Sequence, residues 1–282
     1  MVLIPKTPNA DTISQIRPIA MANFKFNIIS KILADRLALI LPDIVSKEER
    51  GFIKGRQIKD FICLTSEAIN MLHNKSFGGN LAIKIDIAKA IDTIDWNFLL
   101  KVLKAFGFNT LFCNWSSTIL HSAKLSISVN GKSEGYFSCS RGVRQGDPLS
   151  PLLFCLAEEV LSRGISKLVE NGHLQLIKGT RHNALPSHIL YVDDVMLFCK
   201  GTSQKIQILS DFFARYAQIS GQIINAHKST FYAGSMTHAR LMDIEDTLGF
   251  MVGTIPFIYL GVLFSKENQR LLIFNQWWIK LS

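Results

Sequence analysis

HILYVDDVMLFCK, residues 188–200, sets two adjacent carboxylates between two apolar runs. Residues 189–192 and 195–198 are β-branched, aromatic or large and apolar, so each run reads as a strand. Asp193 and Asp194 then fall at the tip of a hairpin with little water around it. Two anions side by side repel each other and lose hydration. A divalent cation offsets both costs. An ordinary Asp-Asp turn is the competing reading, because Asp is common in turns. The pair alone does not separate the two, so the rest of the chain must.

Working outward, residues 81–87 (LAIKIDI) alternate strictly. Leu81, Ile83, Ile85 and Ile87 share one strand face; Ala82, Lys84 and Asp86 share the other. Asp86 is therefore predicted on a strand, pointing away from the apolar face. Asp95 is placed to cap a helix carrying Trp96, Leu99, Leu100, Leu103 and Phe106, closed by Gly107. Asp92 fits a similar helix-start role. Residues 125–129 and 136–138 read as strands joined by Asn130-Gly131, a hairpin signal. RGVRQGDPLSPLLFCLAEEVLSR (141–163) opens as a cationic glycine loop and continues as a helix with Pro151 near its start. Such a loop suits close approach of backbone to an anion or a base. Glu158 and Glu159 on that helix are expected to be solvated or structural.

Nearer the N-terminus, residues 2–5 and 13–16 read as two extended pieces around the turn 8–11, with Lys6 and Arg17 on one hairpin. A helix over 28–41 is predicted to end at Pro42. GFIKGRQ (51–57) is a glycine-punctuated cationic loop that fits either a phosphate backbone or a plain connection. Further helices are expected over 62–73 and 206–219, a turn carrying Lys228 within 220–229, and a hairpin over 255–264. The apolar end at 271–282 suggests a chain cut inside a larger protein.

Composition narrows the class. The chain has 282 residues, 48% of them hydrophobic, and a net charge of +9. That length supports a large core or two lobes. The basic balance favours a polyanionic partner such as nucleic acid. No apolar run approaches a membrane span, and residues 1–12 lack the basic region and apolar core of a signal peptide. Five scattered cysteines, none spaced CxxC, suit a reducing compartment and neither a disulfide framework nor a zinc site.

Asp86 on one strand and Asp193/Asp194 on a hairpin, within a basic chain, point to a two-metal site. Ions about 3.5–4 Å apart activate a hydroxyl and stabilise a leaving pyrophosphate. Oxygen-only ligands favour Mg²⁺, with Mn²⁺ as a substitute.

At this point the residues resemble a family. LIPK (3–6), RPIAMANFKFNIISKILADRL (17–37), KIDIAKAIDTIDW (84–96), RGVRQGDPLSPLLF (141–154), YVDD (191–194), SGQIINAHKS (220–229) and FIYLGV (257–262) follow, in order, the blocks of the reverse transcriptase domain of plant LINE-type non-LTR retrotransposons. The resemblance covers nearly the whole chain. RQGDPLSP with YVDD and an upstream KxD strand is its specific part.

The resemblance implies an α+β right-hand polymerase. Residues 1–80 are the expected fingers, 81–265 the palm with interleaved fingers elements, and 266–282 the start of a truncated thumb. It implies RNA-directed DNA synthesis: deoxynucleotide addition to a primer 3′-OH on an RNA template. Asp86 and Asp193 are expected to bridge the ions, Asp194 to support them, and Ile87 to offer its carbonyl. Lys6 and Arg17 are expected at the triphosphate, Gln145 and Gly146 around the nucleotide, and Lys228 as general acid. Tyr259, Leu260 and Gly261 are expected at the primer grip. Ile91 stands where the family has an aromatic steric gate, which puts sugar selection in question. Val192 stands where Ala is common, and is expected to be tolerated on a strand. The competing reading is a catalytically silent, nucleic-acid-binding remnant. Work at chromosomal DNA implies the nucleus, although no basic cluster reads as an import signal.

Overall fold

A computed structural model describes residues 1–20, 22–177 and 185–265. The expected thumb segment, 266–282, lies outside the described residues. In chain order the elements are β1 (Val2–Pro5), a 3-10 turn (Ile13–Gln15), β2 (Ile16–Ile19), α1 (Phe24–Ile44), α2 (Ile58–Met71), β3 (Asn80–Asp86), α3 (Ala90–Thr93), α4 (Trp96–Ala105), α5 (Thr110–His121), β4 (Lys124–Val129), β5 (Lys132–Ser138), α6 (Ser150–Glu170), β6 (His188–Tyr191), β7 (Asp194–Lys200), α7 (Ser203–Ser220), β8 (Thr230–Ala233), α8 (His238–Leu248), β9 (Met251–Val252), β10 (Phe257–Tyr259) and β11 (Val262–Phe264).

A five-stranded sheet, ordered β6-β7-β3-β8-β9, is the frame. Its neighbours run antiparallel except the β8–β9 pair. Three hairpins stand apart from it: β1–β2, β4–β5 and β10–β11.

The alternation along β3 sorts side chains between two cores. Leu81, Ile83, Ile85 and Ile87 join Val195, Leu197 and Phe231 in the larger, with apolar residues of α4, α6 and α7. Ala82 joins Met196, Phe198 and Tyr232 in the smaller, closed by Phe61 and Ile62 of α2. The face expected to be polar is thus mostly buried as well. Only Lys84 and Asp86, at the C-terminal end of the strand, emerge half-buried. A strand buried on both faces holds its last residue firmly, since each fully buried Ile contributes about 1.5–3 kcal/mol.

Local chemistry sets the helix ends. Asp95 Oδ1 accepts the Phe98 N–H at 2.8 Å, and Asn109 caps α5 the same way on Phe112. Asn130 and Gly131 both hold positive φ (50° and 79°), as a two-residue hairpin demands. The stretch 13–16 differs from expectation. The Gln15 side chain accepts the Asp11 N–H at 2.9 Å, closing a turn, so the strand starts only at Ile16.

α1 also outruns its expected stop, with Pro42 inside its last turn. Arg56 ties this end down: its guanidinium donates to the carbonyls of Pro42 and Val45 at the helix end and of Ser46 and Glu49 in the loop beyond it. The GFIKGRQ arginine therefore serves the fold, not a phosphate backbone.

Glu158 and Glu159 are buried rather than solvated. Glu159 accepts the Ser46 N–H at 3.0 Å, the Ser46 hydroxyl at 2.8 Å and Arg163 Nε at 2.8 Å. Glu158 accepts Gln222 Nε2 at 2.8 Å. Among the described residues no helix is long and apolar enough to cross a membrane.

Candidate active site

Strand pairing brings the carboxylates together. Antiparallel register along β3 and β7 sets Asp86 directly opposite Asp194. Pairing of β6 with β7 closes at Tyr191 and Asp194, leaving Val192 and Asp193 as the turn. Val192 is thus not a strand residue as expected. It takes φ 60°, a conformation that costs an L residue about 1–2 kcal/mol and is rare for a β-branched one.

The turn is braced from outside. Glu49 bridges Leu190, with the Arg50 N–H on Leu190 O at 2.8 Å and the Leu190 N–H on Glu48 O at 2.9 Å. Gly51 then abuts the turn so closely that a Cβ there would sit 2.8 Å from Val192 N. Gly51, the first glycine of GFIKGRQ, serves this approach to the hairpin.

Charge at the hairpin is only partly compensated. Asp194 is pushed up to about 6, by burial first and then by Asp193, while Tyr259 and Lys84 pull it back. Behind the hairpin, burial pushes Glu158 up to about 8, and Glu49 and Asp193 add to the effect. Burial likewise raises Glu49 to about 7, against the Gly51 N–H it accepts at 2.6 Å. Like charges crowded in a poorly hydrated place favour protonation or a bound cation.

A cavity of about 660 Å³ opens in front of the hairpin. Asp86 and Asp193 are its predicted carboxylates; Lys6, Arg17 and Lys228 are its predicted cations. Ile87, Ile91 and Gln145 complete the predicted lining. Chain elements far apart in sequence build it. Lys6 and Arg17 come from the β1–β2 hairpin, where Arg17 pairs with Ile4. Lys228 comes from a turn closed by its N–H on Asn225 O at 3.1 Å. Ile87 bridges Ile224 through Ala88 N on Ile223 O and Asn225 N on Asp86 O, both 2.8 Å. Neither bond involves the Ile87 carbonyl.

The other predicted residues stand outside the lining. Asp194 lies behind Asp193, against Tyr259. Gly146, at φ 102°, packs on Ala20 O, where a Cβ would come within 3.0 Å. Tyr259 is buried among Phe61, Phe264 and Lys84, and Leu260 and Gly261 form the β10–β11 tip. The cavity also takes residues not predicted for it: Lys89, Asp92 and Asn225. Their position within the KIDIAKAIDTIDW and SGQIINAHKS blocks was the available signal.

The donor set suits a hard cation. Among the described residues no three His, Cys, Asp or Glu side chains converge closely enough to hold a metal by themselves. Mg²⁺ does not require that, since it commonly takes one or two carboxylates and completes its shell with water and substrate phosphates. Asp86 and Asp193, with cations for phosphate lining the same cavity, fit that pattern.

A family model described as reverse transcriptase (RNA-dependent DNA polymerase) matches residues 4–264. The chain belongs to the reverse transcriptase family. The domain is 28% identical over 278 residues to the Pol polyprotein of the type-2 retrotransposable element R2DM of Drosophila melanogaster, covering 95% of this chain and 25% of that protein. It is 29% identical over 273 residues to a 149 kDa protein of transposon TX1 of Xenopus laevis, covering 94% of this chain and 20% of that one. An uncharacterized mitochondrial protein of Arabidopsis thaliana, AtMg01250, is 36% identical over 104 residues, 37% of this chain and 84% of its own. The reverse transcriptase domain thus spans a quarter or less of the two Pol-type relatives. Among solved structures, apo telomerase from Candida tropicalis truncated from its C-terminal domain superposes with a TM-score of 0.53 at 15% identity, covering 76% of this chain and 41% of that one. That likeness establishes the shared fold: a mixed helix–sheet palm and fingers.

Proposed function

We propose that this domain performs RNA-templated addition of deoxynucleotides to a primer 3′-OH. The observation that carries the reading is the single cavity joining Asp86 and Asp193 to Lys6, Arg17 and Lys228. A triphosphate needs both sets, because phosphoryl transfer depends mostly on positioning and charge stabilisation.

Asp86 and Asp193 would hold two divalent cations together with substrate phosphate oxygens, and Asp194 would support Asp193 from behind. Mg²⁺ is the expected ion, with Mn²⁺ as a substitute. When bound, the cations would supply activation of the primer hydroxyl and neutralisation of the leaving pyrophosphate. Lys6 and Arg17 bind and orient the phosphates. Lys228 holds a proton at Nζ for the departing pyrophosphate. Ile91, shorter than a ring, borders the sugar and sets how far a 2′-OH is refused. In this reading residues 1–80 are fingers and 81–265 palm, and the β10–β11 tip meets the primer strand. RNA template, DNA primer and deoxynucleotides are its partners, a plant retrotransposon its source, and the nucleus its place of work.

Primer extension on poly(rA)·oligo(dT) with Mg²⁺ or Mn²⁺ tests this. Incorporation that vanishes in Asp193→Asn is expected. Template binding that weakens with salt, without incorporation above that variant, would instead identify a silent nucleic-acid-binding remnant.

A further inference from the structure

A second cavity, of about 250 Å³, opens between the β4–β5 hairpin, the end of α5 and the loop 141–147. Its body is apolar, walled by Trp96, Ile119, Leu125, Val143 and Leu153. Close packing normally removes a space of this size. Here hydrogen bonds fix the surrounding frame without closing it. Trp96 Nε1 donates to Gly142 O at 2.6 Å, the Gly142 N–H to Ile94 O at 2.7 Å, and the Cys139 N–H to Ala123 O at 3.2 Å.

Most charged groups of the lining are already engaged. Arg144 donates to Ile119 O at 2.7 Å and lies over the Phe26 ring. Asp147 takes the Leu149 N–H at 3.1 Å, Asp92 takes Gln145 Nε2 at 3.1 Å, and the Met1 ammonium donates to Ser126 O at 2.7 Å. Arg141 is the exception. It makes no hydrogen bond or ion pair among the described residues, and with Phe137 it is one of two exposed residues of the lining. An apolar chamber with one free guanidinium at its mouth selects an apolar body carrying one anion. A cavity of about 150 Å³ holds benzene, so 250 Å³ admits two fused rings. The planar guanidinium fork matches a carboxylate.

We propose that this cavity binds a small aromatic carboxylate, with two fused rings in the apolar chamber and the carboxylate paired with Arg141. The site is distinct from the 660 Å³ cavity. Met1, Pro18, Asp92 and Gln145 line both, but of the two Arg141 lines only the smaller. An occupant therefore bears on a wall of the candidate active site without entering it.

Calorimetric titration of the complete chain with 1-naphthoate and with uncharged 1-naphthalenemethanol tests this. Naphthoate is expected to bind with a Kd of about 100 µM and the alcohol about tenfold more weakly, as one charge-assisted pair implies. Arg141→Gln, a change at an exposed position, should bring naphthoate to the alcohol's level and leave the alcohol within about twofold. Cys139 lines the cavity, whereas Cys63 is exposed elsewhere. Bound naphthoate should therefore slow alkylation of Cys139 by N-ethylmaleimide and leave Cys63 unchanged, read for each thiol by mass spectrometry. No saturable binding up to about 5 mM overturns the proposal. Equal affinity for acid and alcohol, or an Arg141→Gln variant that weakens both alike, shows no carboxylate recognition and overturns it as well. Displacement of naphthoate by dTTP or by poly(rA) assigns the ligand to the nucleotide cavity or to a nucleic-acid track, and overturns it too. None of these readouts needs nucleotide incorporation, so they stand whether or not the domain polymerises.

Discussion

Two groups of carboxylates face each other across the β6–β7 hairpin, and their surroundings differ more than their chemistry. Behind it, Glu159 is met by Ser46 and Arg163, Glu158 by Gln222, and Glu49 by the Gly51 N–H. Asp147 belongs to the same kind, taking the Ser30 hydroxyl and, at 3.1 Å, the Leu149 N–H. In front, no hydrogen bond to the side chain of Asp86 or Asp193 is seen among the described residues, although both border a cavity lined by four cations, Lys6, Arg17, Lys89 and Lys228. A carboxylate that the fold supplies with donors is spent on the fold. One held rigidly on a strand or turn and left without donors is available to something that arrives.

The largest expected effect follows from that contrast. Asp193→Asn should lower nucleotide incorporation by about a thousandfold or more, roughly 4 kcal/mol of barrier. Its melting temperature should hold or rise, because Asp193 repels Asp194 and Glu158 in the native state. A thermal denaturation scan beside the primer-extension assay separates the two. A clear drop in stability would place Asp193 among the structural acids. Glu159→Ala should behave oppositely. Removing the partner of the half-buried Ser46 N–H and hydroxyl costs about 1–3 kcal/mol, while the fraction still folded keeps its turnover per active site. Urea unfolding with active-site titration checks both halves.

Gly51→Ala comes next, and it tests the brace between the groups. The new methyl meets Val192 N at 2.8 Å, a backbone atom with nowhere to go. Overpacking of this kind costs about 1–3 kcal/mol. Because the displaced atom adjoins Asp193, incorporation should fall at temperatures where the variant is fully folded. Unchanged turnover with lowered stability would mean that the brace does not position the tip.

These contrasts were only partly legible in the sequence. The YVDD hairpin, the strand ending at Asp86, the Asp95 cap and the Asn130-Gly131 turn all rest on local rules of period and turn chemistry, and the fold keeps each one. For Arg56, Glu158 and Glu159 the sequence left two readings open, and the structure takes the structural one through surroundings that come from elsewhere. Glu159 finds Ser46 across 113 positions, and Glu158 finds Gln222 across 64. No window of neighbours shows that. Val192 failed for a subtler reason: β-propensity describes strands, and one residue's shift in where the hairpin turns moves Val192 out of the strand and into a left-handed turn. Asp92 does lie in the first turn of α3, but its bond to Gln145, 53 positions on, could not be read from its neighbours. Family blocks recovered the cavity's lining where local pattern could not, since Lys6, Arg17 and Lys228 have no periodicity that marks them.

The smallest effect changes a slope rather than a level. Burial raises Glu158 from an ordinary 4.5 to about 8. Between those values the native state holds a proton that the unfolded chain has released. The stability this group contributes is therefore full below about pH 4.5 and is lost as pH rises through about 8. Gln at 158 carries no proton to lose and keeps an acceptor and a donor for Gln222. Glu158→Gln should match the wild type at pH 5 and lose less stability than it by pH 8.5, while Glu49, raised to about 7, preserves part of the slope in both. Melting temperatures from pH 5 to 8.5 draw the two curves. Parallel curves would show that Glu158 is ionised in the folded protein, and its buried charge would then have to be counted with Asp86 and Asp193 rather than against them.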